Sequence, residues 1–205
     1  MSEHYYTENP TSVIKEIHFH ESMNGQELQF TSVSGVFSFE SRIDKASALL
    51  THAFSPSCQD IPLSPSILDM GCGYGAIGLC LKVLYPMSHV VMTDINNRAT
   101  KYAKQNADDN HLHVEIIQGN LFEKLHGKTF TDIVSNPPMA AGKAVNLQLI
   151  QEAKFFLAEG GALWITAYHN KGGETLKKAM VKEFGNAIDV KKSGGIHVYK
   201  SCHIG

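Results

Sequence analysis

The stretch Leu68-Asp-Met-Gly-Cys-Gly-Tyr-Gly75, continued by Ala76-Ile-Gly78, decides how this chain folds. It follows a short apolar run, Ser66–Met70, and opens a helical one, Ala76–Leu84. Glycines at such a junction let backbone N–H groups approach a ligand at the positive end of a helix. Asp94 closes the next apolar run, about 20 residues further on, where a carboxylate accepts both hydroxyls of a ribose. Together these residues predict an adenosine-containing cofactor. The plainer reading makes the glycines a tight turn and Asp94 a cap for the helix that begins near Arg98.

Two cofactors compete for this pattern. Gly73-Tyr-Gly75-Ala-Ile-Gly78 matches G-x-G-x-x-G, the dinucleotide fingerprint. Its register is late, because the tight turn begins at Gly71 and reads G-x-G-x-G from there. Asp69, just before the first glycine, would repel a pyrophosphate but attract the α-amino group of S-adenosylmethionine, directly or through water. The residues favour S-adenosylmethionine over NAD.

Outward from this loop, short apolar runs alternate with amphipathic ones. The runs are 66–70, 89–93, 113–118, 131–135, 161–167, 187–191 and 196–200, and helical spacing covers 76–84, 98–108, 144–158 and 174–184. That alternation predicts a mostly parallel sheet with helices on both faces. Ser193-Gly194-Gly195 leaves no room for a helix between the last two runs, so they pair antiparallel at one edge. Upstream, Val13–His20 and Glu27–Val33 flank Asn24-Gly25, a favoured type I′ pair, which predicts a hairpin. A helix is expected from about Ile43 to Phe54, then a loop from Ser55 to Pro62.

Composition narrows the class. The 205 residues are 43% hydrophobic and 19% charged, which excludes a disordered chain or a coiled coil. No apolar run approaches the roughly 20 residues that span a bilayer. The polar start MSEHYYTENP lacks the order of a secretory signal, and Cys58, Cys72, Cys80 and Cys202 lack paired spacing. They read as reduced thiols in a cytoplasmic protein, with no metal site. His18 and His20 share a strand face, as do His111 and His113 if that segment is extended, but a third ligand is missing for either pair. Net charge is −2, split as −6 over residues 1–142 and +4 over 143–205. The basic third permits contact with phosphates, Lys143 and Lys171 foremost, without requiring it.

Asn136-Pro137-Pro138-Met139 follows the run 131–135, at the edge of the sheet where ligands of open α/β folds bind. Two prolines stiffen the backbone and hold Asn136 extended. The Asn136 side-chain oxygen and the Pro137 carbonyl can both accept from one exocyclic amino group. That aims the amine's lone pair at a sulfonium methyl and stabilises charge growing on nitrogen. The bland alternative is a plain turn. Trp164 reads as core, and Tyr168 as core or as part of a substrate mouth.

With both loops in view, the chain resembles class I S-adenosylmethionine-dependent methyltransferases of the "methyltransferase small" family. That family includes enzymes that methylate guanine N2 in 16S ribosomal RNA and single-domain archaeal relatives. The resemblance runs from His4-Tyr-Tyr6 through Gly35-Val-Phe-Ser38, Ile43-Asp-Lys45, Leu68–Gly75, Thr93-Asp-Ile-Asn96, Gly119–Glu123 and Ser135–Pro138 with Gly142-Lys143 to Gly194-Gly195. It implies that Asp69, Gly71, Cys72, Gly73 and Gly75 surround the methionine moiety, Asp94 and Ile95 the ribose, and Asn120 and Leu121 the adenine. It implies too that Phe37, Ser38 and Asp44 close over the cofactor. Asn120 stands where the family usually has Asp, and Met139 where many members place an aromatic against the target base. The second N-terminal domain of the bacterial enzymes is replaced here by a forty-residue segment.

The expected architecture is a seven-stranded Rossmann-like sheet in order 3-2-1-4-5-7-6 with strand 7 antiparallel, residues 41–205, preceded by a hairpin extension, residues 1–40. The expected reaction is methyl transfer to an exocyclic amine, foremost guanine N2 of ribosomal RNA, free or in the small-subunit ribonucleoprotein. Adenine N6 and a protein glutamine amide are near alternatives. An NAD-dependent oxidoreductase or a non-catalytic RNA-binding module belongs to other classes.

Overall fold

The computed structural model describes residues 7–57 and 64–204. His4-Tyr5-Tyr6, Cys58 and the end of the expected loop at Pro62 lie outside the described residues.

The chain begins with β1 (Glu16–Met23) and β2 (Gln26–Val33), paired antiparallel from Glu16↔Val33 to Met23↔Gln26. Asn24 and Gly25 turn between them with φ of 52° and 77°, as a type I′ turn requires. α1 (Lys45–Ala53) follows, capped by Asp44. The sheet then alternates with helices: β3 (Ser66–Met70), α2 (Ala76–Leu84), β4 (His89–Asp94), α3 (Asn97–Asp109), β5 (Glu115–Gln118), β6 (Phe130–Ser135), α4 (Lys143–Phe156), β7 (Leu157–Tyr168), α5 (Gly173–Phe184), β8 (Ile188–Ser193) and β9 (Ile196–Cys202).

The order β5-β4-β3-β6-β7-β9-β8 is the expected 3-2-1-4-5-7-6 in core-strand numbering. β9 runs antiparallel to both β7 and β8, and the other pairs are parallel. Several boundaries differ from expectation: β1 spans Glu16–Met23 rather than Val13–His20, β5 starts at Glu115 rather than His113, and β8 ends at Ser193 rather than Lys191. β7 starts at Leu157 rather than Gly161, because Leu157 already pairs with Phe130 ahead of a register shift, and α4 correspondingly stops at Phe156. His111 sits at φ 56°, in a turn, so His111 and His113 do not share an extended face.

Two apolar layers flank the sheet. One gathers Leu68, Ile133, Leu149, Ile150, Leu163, Leu176 and Met180 beneath α4 and α5. The other joins Ile67, Leu79, Met92 and Trp164 to Phe19, Leu28 and Phe30 of the hairpin. Phe19 stacks on Phe30, and both meet Tyr74 of the glycine loop edge-on at centroid distances near 6 Å (6.1 and 6.0 Å). Side-chain amides complete the docking of β2. Asn106 of α3 accepts from Thr31 N (2.8 Å) and donates to Thr31 O (3.1 Å) and Tyr74 O (2.9 Å). One turn on, Asn110 accepts from Gln29 N (2.9 Å) and donates to Gln29 O (2.7 Å). Two asparagines one helical turn apart thus bond to alternate residues of one strand edge, as a third strand would.

Among the described residues, no helix is long and apolar enough to cross a membrane. Cys72, Cys80 and Cys202 are free thiols. No group of three or more His, Cys, Asp or Glu among the described residues is placed to hold a metal ion.

Candidate active site

A cleft runs along the carboxyl ends of β3, β4, β5 and β6, in two adjoining parts. The larger encloses about 890 Å³ with its open mouth and is walled by Gly71, Asp94, Ile95, Asn120, Leu121, Asn136, Pro138 and α4. The smaller, about 310 Å³, lies between the glycine loop and the start of α1, against Ser38, Asp44, Ser47, Cys72 and Gly73. Phe37, Gly71 and Asn136 belong to both walls.

The glycine loop is shaped by its own backbone. Gly71 N and Cys72 N both donate to Thr93 O, at 2.8 and 3.0 Å, which folds the chain back over β4. Gly73 and Gly75 stand at φ of 57° and 93°, where a side chain would be strained. Above Gly71 the space is open: a Cβ there would meet nothing within 4 Å. Gly78 serves packing instead. A Cβ on it would come within 2.3 Å of Met92 Sδ, so the glycine is what lets α2 lie close on β4.

Two carboxylates sit beneath this loop, Asp94 half-buried and Asp69 buried, and they behave differently. Asp94 is held at both oxygens, Oδ2 accepting from Gly73 N and Oδ1 from Asn96 N, each at 2.9 Å, and it still lines the larger cleft. It does not cap α3. Asn96 does, accepting from Arg98 N and Ala99 N. Burial raises the Asp94 carboxyl above its ordinary range, opposed by the backbone N–H groups of Asn96, Gly73 and Ile95. Asp69 is fully enclosed, with Oδ2 accepting from Gly78 N (2.8 Å) and Oδ1 without a partner. Burial pushes it up to about 7; the Gly78 N–H works against this, and the nearby Asp94 adds to it. Asp69 is on neither cleft wall, so its carboxylate lies behind the loop rather than facing the open space.

The Asn-Pro-Pro loop is fixed by side chains from elsewhere. Ser135 Oγ donates to Met70 O (2.8 Å), tying the end of β6 to the end of β3. Asn136 Nδ2 donates to Asp44 Oδ1 (3.2 Å) and Ser47 Oγ (3.0 Å). Among the described residues no donor reaches Asn136 Oδ1. Pro138 O accepts from Asn146 Nδ2 of α4 (3.3 Å). Pro137 is buried and off both walls.

Phe37, Ser38, Asp44, Gly71, Cys72, Gly73, Asp94, Ile95, Asn120, Leu121, Asn136 and Pro138 therefore converge on the joined clefts. Gly75, Met139 and Lys143 do not line them. Met139 leans on Gly172, and Lys171 lies over the half-exposed Tyr168 ring at 5.4 Å. Sequence reasoning missed Val145, Asn146 and Leu149 of α4, which wall the larger cleft. Their signal was Asn146, a buried amide between Val145 and Leu147 on an otherwise apolar face.

Such a cleft could hold an adenosine-bearing amino acid. Asp94 offers a carboxylate at one wall, Ile95, Leu121, Val145 and Leu149 offer apolar faces for a flat ring, and Gly71 leaves room for close approach. Among the described residues, neither cleft wall carries a Lys or Arg to neutralise a pyrophosphate.

A family model, the methyltransferase small domain, matches residues 27–200. The chain is 33% identical over 203 residues to the uncharacterized protein YbxB of Bacillus subtilis (strain 168), covering 98% of each. It is 36% identical over 146 residues to the ribosomal RNA small subunit methyltransferase C of Pasteurella multocida (strain Pm70), covering 69% of this chain and 42% of that one. It thus spans about two fifths of the length of the rRNA methyltransferases it matches. Among solved structures, a T. thermophilus 16S rRNA N2 methyltransferase in complex with AdoMet and guanosine superposes with a TM-score of 0.77 at 23% identity, over 94% of this chain and 52% of that one. A methyltransferase from Pyrococcus furiosus superposes at 0.66 and 21% identity, over 77% of this chain and 81% of that one. At these identities the structural likeness speaks for the fold.

Proposed function

The chain belongs to the methyltransferase small-domain family of S-adenosylmethionine-dependent enzymes, and from that premise we propose that it methylates an exocyclic amino group, N2 of guanine in small-subunit ribosomal RNA. The observation that carries this reading is the Asn136 carboxamide. It stands where the two clefts meet, with Nδ2 engaged and, among the described residues, no donor on Oδ1.

S-adenosylmethionine, when bound, supplies a methyl group on a positively charged sulfur. Asp94 and Ile95 would hold its ribose, Asn120 and Leu121 its adenine, and the glycine loop its amino-acid end, with Phe37 and Ser38 closing over it. Asn136 Oδ1 then accepts one N–H of the target amine, from a loop stiffened by Pro137, which is buried and off both walls. This turns the nitrogen lone pair toward the methyl and stabilises the positive charge that grows on nitrogen. No general base is called for. Burial holds the Cys72 thiol and the Tyr74 phenol well above their usual ranges, so both stay protonated at neutral pH. Asp44 and Asp94 are committed to hydrogen bonds. The amine sheds its proton to water once it carries the methyl. Met139 would lie against the target base, a thioether in place of an aromatic ring. Lys143 and Lys171 would meet phosphates beside it.

The rRNA substrate is supported by the curated relatives named as ribosomal RNA methyltransferases. The test is to incubate the protein with methyl-labelled S-adenosylmethionine, in-vitro transcribed small-subunit rRNA and a ribosomal protein fraction, then digest to nucleosides and amino acids. Label in N2-methylguanosine is expected. Label in N6-methyladenosine or methylglutamine moves the acceptor while keeping the chemistry, and label in none of them overturns the reading.

A further inference from the structure

An asparagine can turn either end of its amide toward a ligand, and the two ends recognise opposite partners. The oxygen accepts from an amine; the NH2 donates to a carbonyl or ring nitrogen. Guanine carries both kinds of group side by side, so the orientation of Asn136 decides which edge atom is drawn into the site. Two contacts hold that orientation. Asn136 Nδ2 donates to Ser47 Oγ (3.0 Å), a hydroxyl that could accept or donate, and to Asp44 Oδ1 (3.2 Å), a carboxylate that can only accept. A flipped amide would set oxygen against oxygen at Asp44.

Asp44 is itself held by backbone. At φ −63° and ψ 153° it caps α1, and the same Oδ1 accepts from Ala46 N (3.0 Å) and Ser47 N (3.1 Å). Its position therefore follows α1, whose Leu50 is buried in the core with the hairpin residues Leu28 and Phe30. We propose that Asp44 is a positioning residue that sets the polarity of the Asn136 amide, so that the site selects an amine donor over a carbonyl acceptor. This rests on the amine-methylation reading and gives Asp44 a role beyond closing over the cofactor.

The experiment is a double-mutant cycle on the full chain, with in-vitro transcribed small-subunit rRNA as the methyl acceptor. Asp44→Ser retains a good helix cap but is too short to reach the amide. It is expected to leave the melting temperature near wild type and to weaken S-adenosylhomocysteine binding, because Asp44 also walls the cofactor cleft, while kcat at saturating cofactor falls about tenfold or more at nearly constant KM for RNA. In an Asn136→Ala background the same change should cost nothing further, because residues acting through one interaction are not additive. Asp44→Asn keeps the cap, and its Oδ1 can still accept from Asn136 Nδ2, so it should hold turnover within about threefold of wild type. Asp44→Thr, also a helix cap too short to reach the amide, serves if the serine variant folds poorly. Equal losses in both backgrounds, a loss confined to cofactor affinity, or a loss by Asp44→Asn as large as that by Asp44→Ser would overturn the proposal. Wild-type turnover by Asn136→Ala alone would instead sink the amine reading on which it stands.

Discussion

The glycine loop and the Asn-Pro-Pro loop end neighbouring strands, β3 and β6, yet they are made rigid by different means. In the first, the chain bonds mostly to itself: Gly71 N and Cys72 N to Thr93 O, Gly75 N to Cys72 O, with Asp94 gathering Gly73 N. In the second, proline stiffness is supplemented by side chains from α1, Asp44 and Ser47, and from α4, Asn146. The first loop is a backbone cradle that a ligand of fixed shape can fill. The second is an aimed polar group whose direction depends on distant elements. Binding and chemistry should therefore separate when the two are altered.

The sharpest separation is expected from Asn136→Ala. Turnover should fall about 10²–10³-fold, the scale for losing one preorganised hydrogen-bonding group in a transition state, while S-adenosylhomocysteine affinity measured by calorimetry changes little. A collapse of affinity with unchanged turnover per bound cofactor would erase the distinction between the loops. Asp94→Ala should do the reverse, weakening calorimetric binding by about 1.5–3 kcal/mol, as for lost bonds to a charged group. Part of that loss would come from freeing Gly73 N.

A third expectation concerns Asp69, which is buried behind the cradle. Its carboxyl is pushed up to about 7 from an ordinary 3.8, so between those values the native state keeps a proton that the unfolded chain has lost. Stability contributed through this group falls as pH rises across that window and levels off above it. Asp69→Asn retains an oxygen for Gly78 N–H and removes the slope. Urea midpoints of wild type should drop more than those of the variant between pH 5 and about 8. Parallel profiles would mean that Asp69 ionises as an exposed carboxylate does. The smallest effect is expected from replacing Lys143 and Lys171 together, which should reduce the salt dependence of rRNA binding by about one or two counterions. An unchanged slope would leave both lysines to solvent.

The same contrast explains what could be read from the residues alone. The mostly parallel sheet and its antiparallel edge followed from alternating runs and from the absence of a helix between β8 and β9, both local properties; the strand order came with the family resemblance. Asp94 and Asn136 were legible because each ends an apolar run at the ligand-binding edge. The contact of Asp44 with Asn136 joins residues 92 apart, and no periodicity encodes such a pairing. Asp69 was expected beside the ligand's amino group. The close packing at Gly78 instead draws its carboxylate under α2. Val145 and Leu149 read as ordinary core of an amphipathic helix, because a cleft wall and a core face have the same pattern. β7 began early because Leu157 pairs with Phe130 before a register shift, and regular pairing resumes only at Asp132↔Ala162.

The two asparagines of α3 have a consequence outside catalysis. A two-stranded hairpin carries exposed N–H and C=O groups along its outer edge, and such an edge invites a strand from another molecule. Asn106 and Asn110 occupy that row at Thr31 and Gln29, so a foreign strand would have to break four amide hydrogen bonds before gaining its own. The far edge of the large sheet is guarded in another way, by the irregularity between Asp189 and Lys191 and by the charges of Lys191 and Lys192. At the hairpin, protection against aggregation comes from neutral amides, which add no charge to strands that carry Glu16, Glu21 and Glu27 and no lysine or arginine.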